Sequence, residues 1–256
     1  VENPSGGWQT TTAAFDPREG RQDWFDVFEG EGRQPGEWGH WTGQGMNWNA
    51  NCAYCHMTEF KKNFDVMENH YASTWTAHGN SCVECHGRAA EHAAAARRGD
   101  PQAGLQRLDS EQVTMNCATC HSRRGHLTAE AFLPGDNFHD HFDLALPDQP
   151  GLYFADGQIR DEVFVYGSFE MSRMGHAGVD CRDCHNSHSG ELILSIEDNS
   201  LCLRCHAVGT DGAPIARGPE HTHHAMGSTG NRCVECHMPH TTYMGRDDRR
   251  DHGYHS

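Results

Sequence analysis

Cys52-Ala-Tyr-Cys-His56 is the first of six stretches with one pattern: two cysteines separated by two residues and followed at once by a histidine. The six copies hold all twelve cysteines of the 256-residue chain. They are Cys52-Cys55-His56, Cys82-Cys85-His86, Cys117-Cys120-His121, Cys181-Cys184-His185, Cys202-Cys205-His206 and Cys233-Cys236-His237. One turn of helix can present both thiols to the vinyl groups of a porphyrin and turn the imidazole toward its iron. This spacing is typical of a c-type haem attachment site.

Cysteine pairs at this spacing also occur in zinc ribbons, dithiol redox centres and disulfide frameworks. Neither zinc nor a disulfide requires a histidine directly after the second cysteine, and here it follows six times out of six. The pattern therefore predicts six covalently attached haems, with the twelve cysteines as thioether donors and six proximal iron ligands. These ligands are His56, His86, His121, His185, His206 and His237.

The length of the chain limits the fold that it can adopt. It offers about 43 residues per haem, too few for a separate apolar core around each. With 36% hydrophobic residues and 28 glycines, the chain leaves much of the core to the porphyrins. We therefore predict a mainly α and irregular fold, with short helices and loops around a stacked haem array. At most a small β-hairpin is expected near residues 152–166, where Asp156-Gly157 separates two β-prone runs.

Several helices can be placed from local signals. Residues 64–77 are expected to be helical, and the alanine-rich residues 89–98 also favour a helix. The run Asp109-Ser-Glu-Gln112 is typical of a capping box that starts the helix of the third motif. Either Asn199 or Ser200 is expected to cap the helix of the fifth motif.

The motifs fall into two groups of three within what we predict to be a single domain, residues 1–256. Residues 1–51 form a glycine- and tryptophan-rich arm, and residues 52–121 carry haems 1–3. Residues 122–180 are a haem-free connection, and residues 181–256 carry haems 4–6. We expect the aromatic side chains of the arm to cover haem faces and edges; the alternative is a dedicated binding surface.

The composition also limits the partners. A net charge of −16 argues against nucleic acid or an anionic membrane as a partner. No apolar stretch reaches the roughly 18 residues of a membrane span, and the chain begins at Val1 without a signal peptide, as expected of a processed or partial product. Because c-type haem is attached outside the cytoplasm, we expect a periplasmic or extracellular protein.

The sixth coordination position of each iron decides whether that haem only transfers electrons or can also catalyse a reaction on a bound substrate. Twenty-one histidines minus six proximal ones leave fifteen, enough for two histidines on every iron. The preferred distal candidates are His78, His92, His141, His176, His188, His224 and His252. Reserves are His40, His70, His126, His139, His223 and His240, with His224 chosen as one member of the cluster His221-Thr-His-His224. Met57 and Met238 are expected to pack rather than to bind iron.

Five runs of sequence, two of them around cysteine motifs, carry a family resemblance. The runs are Pro35-Gly-Glu-Trp-Gly-His-Trp-Thr-Gly43, Gly45-Met-Asn-Trp-Asn49, Cys82-Val-Glu-Cys-His-Gly87, Cys233-Val-Glu-Cys-His-Met-Pro239 and Thr241-Thr-Tyr-Met244. Through them the chain resembles extracytoplasmic multihaem cytochromes c of the kind labelled cytochrome c nitrite reductase-like. The resemblance implies a multihaem electron carrier whose haems stack in parallel and T-shaped pairs.

The chain also departs from the enzymes of that group, whose catalytic haem is bound through a motif ending in lysine. All six motifs here end in histidine. We therefore expect electron transfer by mostly or wholly bis-histidine, low-spin haems, and assign no catalytic residue. The alternative is an oxidoreductase that reduces a small nitrogen or sulfur oxyanion at one open haem.

The surplus of histidines near both ends raises a second possibility, an extracellular filament. There a histidine of one subunit would bind a haem iron of the next. His40, His252 and His255 are the candidate donors for such an exchange. Expected partners are thus redox proteins, an extracellular electron acceptor, or further copies of this chain.

Overall fold

Short helices and two-stranded sheets, joined by long irregular segments, make up the fold. The computed structural model describes residues 1–87, 89–100, 102–104, 106–238, 240–243 and 246–253. His255, a candidate donor for exchange between subunits, lies outside the described residues, as do Pro239 and Met244 of the resemblance runs. No helix within the described ranges is both long and apolar enough to cross a membrane.

The longest α-helix among these residues has twelve residues and carries the third motif. The α-helices are α1 Trp48–Asn51, α2 Ala53–His56, α3 Cys82–His86, α4 Ala90–Arg97, α5 Ser110–His121, α6 Phe138–His141, α7 Tyr166–Glu170, α8 Arg173–His176, α9 Ser200–His206, α10 Gly218–Thr222 and α11 Cys233–His237. Short 3-10 helices cover Gln44–Met46, Cys181–Asp183, Thr210–Gly212 and Thr229–Asn231.

The strands pair only two at a time. They are β1 Ala13–Asp16, β2 Asp23–Asp26, β3 Met57–Thr58, β4 Phe64–Asp65, β5 His70–Tyr71, β6 Ala77–His78, β7 Arg124–His126, β8 Phe142–Leu144, β9 His240–Tyr243 and β10 Asp247–Arg250. The pairs are β1 with β2, β3 with β6, β4 with β5, β7 with β8, and β9 with β10. Short helices, loops and two-stranded sheets confirm the predicted fold class.

The helix expected over residues 64–77 is wrong. This stretch holds the hairpin β4–β5 instead, with Asp65 opposite His70. The Asp65 carboxylate accepts hydrogen bonds from the amides of Met67 and Glu68 at 2.8 and 3.1 Å. Asn69 completes the turn in the left-handed region, with φ of 49°. Local side-chain bonds of this kind compete with helix formation.

The hairpin expected near residues 152–166 is reduced to one isolated bridge, Tyr153 opposite Ile159. The second β-prone run does not extend it, because Phe164 adopts the left-handed conformation with φ of 61°. The Glu162 carboxylate accepts the amide hydrogen of Phe164 at 2.7 Å and stabilises that turn.

Two other local predictions are confirmed. Asp109 and Gln112 form the expected capping box at the start of α5. The amide of Gln112 donates to the Asp109 carboxylate at 2.8 Å, and the Gln112 side chain accepts from the amide of Asp109 at 3.1 Å. The alanine-rich residues expected to be helical form α4. Both signals lie within a few residues, so sequence alone is enough to find them.

The described chain divides into two compact units. The first comprises Val1–Cys120, Arg124–Asp143 and Tyr243–Asp247, and the second His121–Arg123, Leu144–Thr242 and Asp248–Ser256. The first unit holds both cysteines of motifs 1–3, and the second holds all of motifs 4–6. The grouping of residues 1–256 into a single six-haem domain stays a prediction.

Each unit has a small apolar centre. In the first, the ring of Phe142 lies 5.0 Å from Phe138 and 5.5 Å from Tyr54, a residue of motif 1. In the second, Ile159 and Val163 are buried. Aromatic rings also gather in the first unit, where Trp8 stacks on Trp48 at 5.4 Å. That aromatic side chains of the arm cover haems stays a prediction.

Candidate haem-binding sites

All six motifs lie on helical turns. The motif histidines end α2, α3, α5, α9 and α11, while Cys181 begins the 3-10 helix Cys181–Asp183. The carboxylates of Asp180 and Asp183 form a capping box around that 3-10 turn. A helical turn sets two thiols three residues apart on one side and places the histidine next to them. The local geometry therefore suits a porphyrin at each motif.

The cysteines of the motifs form no disulfide with one another, and their side chains are accessible. All twelve cysteines lie within the described ranges; Cys82, Cys85 and Cys236 are exposed and the other nine are partly exposed. Fully buried thiols could not reach a cofactor without unfolding, whereas these can. The donor set thus fits covalent haem.

In the first unit, thiols of two different motifs meet. The Cys55 thiol of motif 1 lies 3.7 Å from the carbonyl oxygen of Cys120 in motif 3. A hydrogen bond between these two thiols lowers the pKa of Cys55 to about 7 and raises the pKa of Cys120. Motifs 1 and 3, which are 65 residues apart, are therefore direct neighbours in space.

Arg124 holds these two motifs together, a role that sequence reasoning missed. Its Nε donates to the carbonyl oxygen of Thr119 in motif 3 at 2.7 Å. Its guanidinium lies over the ring of Tyr54 in motif 1 at 4.4 Å and over Phe142 at 4.1 Å. A cation against aromatic faces in a partly buried site contributes about 1–2 kcal/mol, beyond the hydrogen bond itself. No motif marks such an arginine, because its partners come from distant parts of the chain.

His126, a reserve distal candidate, is engaged by the same arginine. Its Nε2 lies 3.1 Å from Nη1 of Arg124 and accepts a hydrogen bond from it, since a guanidinium can only donate. Burial lowers the pKa of His126 to about 3, and the charge of Arg124 adds to this. This imidazole is therefore neutral and structural at neutral pH.

The pKa of His126 makes stability pH-dependent. Because the folded pKa lies below the unfolded value of about 6.5, the unfolded chain binds the proton first. The stabilisation is fully present above pH 6.5 and declines as the pH falls toward 3. As the pH is lowered from 6.5 to 5, we expect protonation linked to His126 to reduce the free energy of unfolding by about 2 kcal/mol. Denaturant titrations of the haem-loaded protein would measure it.

The matched variants for that measurement are His126→Gln and His139→Gln. His139 is exposed in α6, so its removal should leave the pH dependence of the wild type unchanged. His126→Gln should flatten the dependence relative to both. Equal slopes for all three proteins would contradict the assignment.

In the second unit, motifs 5 and 6 are joined in the same way. A hydrogen bond between the thiols of Cys202 and Cys233 lowers the pKa of Cys233 to about 7 and raises that of Cys202. The side chain of Asn199 holds motif 6 next to motif 5. It lies at the start of α9 as predicted, but its side chain accepts from the amide of Cys233 and donates to the carbonyl of Asn231, both at 2.8 Å.

The capping of α9 itself therefore differs from the expectation. The Asp198 carboxylate accepts the amide hydrogen of Ser200 at 3.0 Å, and Asn199 caps no group of its own helix. Asn199 adopts the left-handed conformation with φ of 65°, which asparagine tolerates. Its side chain instead fixes the start of α11 against α9.

His252 faces the histidine of motif 4 in the second unit. Its ring centroid lies 6.4 Å from that of His185, and the two planes differ by 26°. Metal–imidazole bonds are about 2 Å, with the ring centre about 1 Å behind the nitrogen, so two imidazoles on one iron have centroids about 6 Å apart. The spacing of this pair matches two axial ligands of one iron.

A second pair has the same geometry. The ring of His221 in α10 lies 5.9 Å from that of His237, the histidine of motif 6, with planes 14° apart. The sequence favoured His224 from this cluster, but the structure brings His221 to the motif. His223 ends α10 in the left-handed conformation, with φ of 59°, and redirects the chain. The exposed His224 then packs its ring against Gly230.

The partner of Nδ1 shows which imidazoles are oriented for iron. When Nδ1 lies next to a carbonyl oxygen it carries the proton, and Nε2 keeps the lone pair that binds metal. His206 has this arrangement with Pro214 at 2.8 Å, and His252 with Arg250 at 3.0 Å. His92, another distal candidate, has the same arrangement, with its Nδ1 3.2 Å from a carbonyl oxygen.

His40 has the opposite arrangement. Its Nδ1 accepts a hydrogen bond from the amide of Thr42 at 3.2 Å and lies 2.7 Å from the hydroxyl of the same residue. Nε2 therefore carries the proton in the neutral ring, and this orientation does not suit Nε2 ligation.

Burial lowers the pKa of both His252 and His237, which keeps these rings neutral, as a ligand must be.

The remaining distal candidates lie in four different settings. His78 is exposed in β6, opposite Met57, with its ring 6.0 Å from Trp75. The mostly buried His141 has Nε2 3.5 Å from Asp136, while its Nδ1 has no hydrogen-bond partner. His176 and His188 are exposed, at the end of α8 and in the loop after motif 4. For these four the ligand assignment stays a prediction.

The surface of the polypeptide also fits a chain built around porphyrins. It exposes 16,224 Å², whereas a folded protein of this mass is expected to expose about 11,000 Å². Apolar side chains contribute to the excess beside a motif, where Leu192, Ile193 and Leu194 are exposed. The amide of Ile193 donates to the carbonyl of Cys184 at 3.0 Å, which holds this run against motif 4. Haem faces would cover surfaces of this kind.

A cavity of about 310 Å³ in the first unit adds to this fit. Tyr54 of motif 1 and Val83 of motif 2 line it, together with Trp75 and Phe132. Its walls are thus mainly aromatic and apolar, the surroundings that a porphyrin face requires.

Comparisons with known proteins concern part of the sequence and the fold. Residues 174–247 match the family model described as cytochrome c3. No curated protein matches the chain in sequence. The structure is similar to the crystal structure of the outer cell wall cytochrome OcwA, with a TM-score of 0.65 and 19% identity over 98% of this chain and 62% of that one. The chain thus spans about 62% of the length of that protein. The two matches support the fold of a multihaem c-type cytochrome.

Proposed function

We propose that this chain transfers electrons through six covalently attached c-type haems, mostly or wholly held by two histidines each. The observation that carries this proposal is the close pairing of motifs. The Cys55 thiol of motif 1 lies 3.7 Å from the carbonyl oxygen of Cys120 in motif 3, and the Asn199 side chain at the start of the motif-5 helix accepts the amide hydrogen of Cys233 in motif 6 at 2.8 Å. The cytochrome c3 match over motifs 4–6 and the likeness to an outer cell wall cytochrome support it.

This pairing of motifs has a direct consequence for the cofactors. Each sulfur would become a thioether on the edge of its own porphyrin, so two motifs in contact would bring two porphyrin edges close together. The haem of motif 3 would then neighbour that of motif 1, and the haem of motif 6 that of motif 5. Electrons would hop between such neighbours one at a time, while the protein supplies geometry and potential.

Axial saturation separates a carrier from an enzyme. An iron with two histidine ligands exchanges electrons but has no position for a substrate. The pairs His185–His252 and His221–His237, with their centroid spacings of 6.4 and 5.9 Å, support two such irons. The orientation of Nδ1 in His92 supports a third distal ligand.

The charge of the chain constrains its redox partners. At −16, and more acidic once the haem propionates are added, the protein should attract partners with basic docking surfaces. Such association slows as salt screens the charges. We infer a location outside the cytoplasm, where c-type haem is attached.

Ligation within one chain is favoured over exchange between copies. His252 already faces His185 of its own unit, and the proton arrangement of His40 does not suit Nε2 ligation. We therefore propose a carrier that completes its haem sites internally. A filament would need donors other than these two histidines.

Spectroscopy of the haem-loaded protein tests this function. We expect a mass equal to the chain plus six haems, low-spin ferric signals, and no carbon monoxide adduct after reduction. Stepwise reduction should take up about six electrons per chain. A high-spin haem that turns over nitrite or hydroxylamine would contradict the carrier and favour the reductase.

A further inference from the structure

Three consecutive side chains fix the segment that carries His252. The guanidinium of Arg249 binds the carboxylate of Glu162, with one contact at 2.9 Å. Arg250 donates to the carbonyls of Val234 and Met238 at 3.2 and 3.0 Å, beside motif 6. The third of these side chains, Asp251, acts directly around His252.

Asp251 is 5% exposed and bonds on both sides of the histidine. One carboxylate oxygen accepts the amide hydrogen of Ile159 at 2.8 Å, and the other accepts that of Gly253 at 2.8 Å. The bond to Gly253 closes a turn whose central residue is His252. The bond to Ile159 anchors that turn to the bridge between Tyr153 and Ile159.

Space around this turn is limited. A Cβ atom on Gly253 would come within 3.0 Å of Ser168, a fully buried residue. The backbone on either side of His252 is therefore fixed, by a carboxylate before it and by close packing after it. A side chain so placed has few orientations from which its Nε2 can face His185.

We propose that Asp251 is the positioning residue that holds His252 in place as the sixth ligand of the motif-4 haem. This rests on the proposed function, because it takes His252 to be an iron ligand. Hydrogen bonds from amides to a buried carboxylate are strong and directional, so they can set a ring position that solvent-exposed bonds would not. The carboxylate would act through His252, since its oxygens bond the amides of Ile159 and Gly253.

The test compares four variants of the haem-loaded protein. His252→Ala should convert one haem of six to high spin and allow one carbon monoxide to bind per chain. In Asp251→Ala, a fraction of the protein should bind carbon monoxide, giving a signal about tenfold or more above the wild-type background, because both anchoring bonds are lost. Asp251→Asn keeps only one acceptor oxygen and should give a smaller increase.

Asp248→Ala is the matched control. Asp248 lies in the same segment, and its carboxylate accepts a hydrogen bond from the Thr242 hydroxyl at 2.5 Å. Its removal should leave all haems low-spin. The midpoint of thermal unfolding is measured in parallel for every variant.

The outcomes separate the two claims. If His252→Ala stays fully low-spin, the ligand assignment fails and this inference with it. If His252→Ala becomes high-spin while both Asp251 variants bind carbon monoxide no better than wild type, Asp251 is structural only and the inference is overturned. Should Asp251→Ala fail to load haem, Asp251→Asn alone decides by the same criterion.

Discussion

The haem-free chain will be expanded, without a cooperative unfolding transition. Small-angle scattering should give a radius of gyration closer to about 56 Å, the size of an unfolded chain of this length, than to about 18 Å, the size of a folded one. Far-ultraviolet circular dichroism should show little helix. Binding of a cofactor that organises the core supplies the free energy of folding.

The polypeptide alone cannot supply that free energy. The longest helix of the described ranges has twelve residues, and helices of this length are marginal in water without tertiary packing. The sheets that these ranges form have two strands each, and isolated two-stranded hairpins are also marginal. The surface exposed by the protein part exceeds that of an ordinary folded protein by about 5,000 Å². Covering the apolar part of this surface with porphyrin, at about 25 cal/mol per Å², would add the stabilisation that the short helices and sheets lack.

The matched control is the same chain carrying its haems, under identical buffer and reductant. A haem-free chain that is compact and melts cooperatively would contradict the prediction. It would show that the small apolar centres around Phe138 and Val163 suffice to fold the two units.

The helical turns of the motifs could be predicted from sequence because the pattern is local. Five consecutive residues on one such turn would provide both thiols and a proximal imidazole, whatever surrounds them. The same holds for the capping box of Asp109 and Gln112, which lie three residues apart. A structural feature that depends only on residues close in sequence can therefore be predicted from the sequence alone.

Positions that depend on distant partners could not be predicted in this way. Asn199 looked like a cap for its own helix, yet its side chain bonds the amide of Cys233, 34 residues away. The histidine cluster at residues 221–224 could not be resolved from sequence either, because its three histidines differ only in their position relative to a turn of the chain. That turn is made by His223 in the left-handed conformation, and it leaves His221 as the ring next to motif 6.

Replacing His221 by alanine will open one haem, and replacing His224 will not. His221→Ala should turn one of six ferric haems high-spin, and the reduced protein should bind about one carbon monoxide per chain. The reason is geometric: the His221 ring lies 5.9 Å from that of His237 and nearly parallel to it, the spacing of two ligands on one iron. Low-temperature electron paramagnetic resonance and carbon monoxide titration measure the two effects.

His224→Ala is the matched control, three residues away in the same histidine cluster. His224 packs against Gly230 and should leave the spin state unchanged. Added imidazole should restore the low-spin signal of His221→Ala, because the small ligand can occupy the position that the side chain has left. High spin in His224→Ala, with His221→Ala unchanged, would reverse the assignment. The chain would then bind its motif-6 haem through the histidine that lies beyond the left-handed turn.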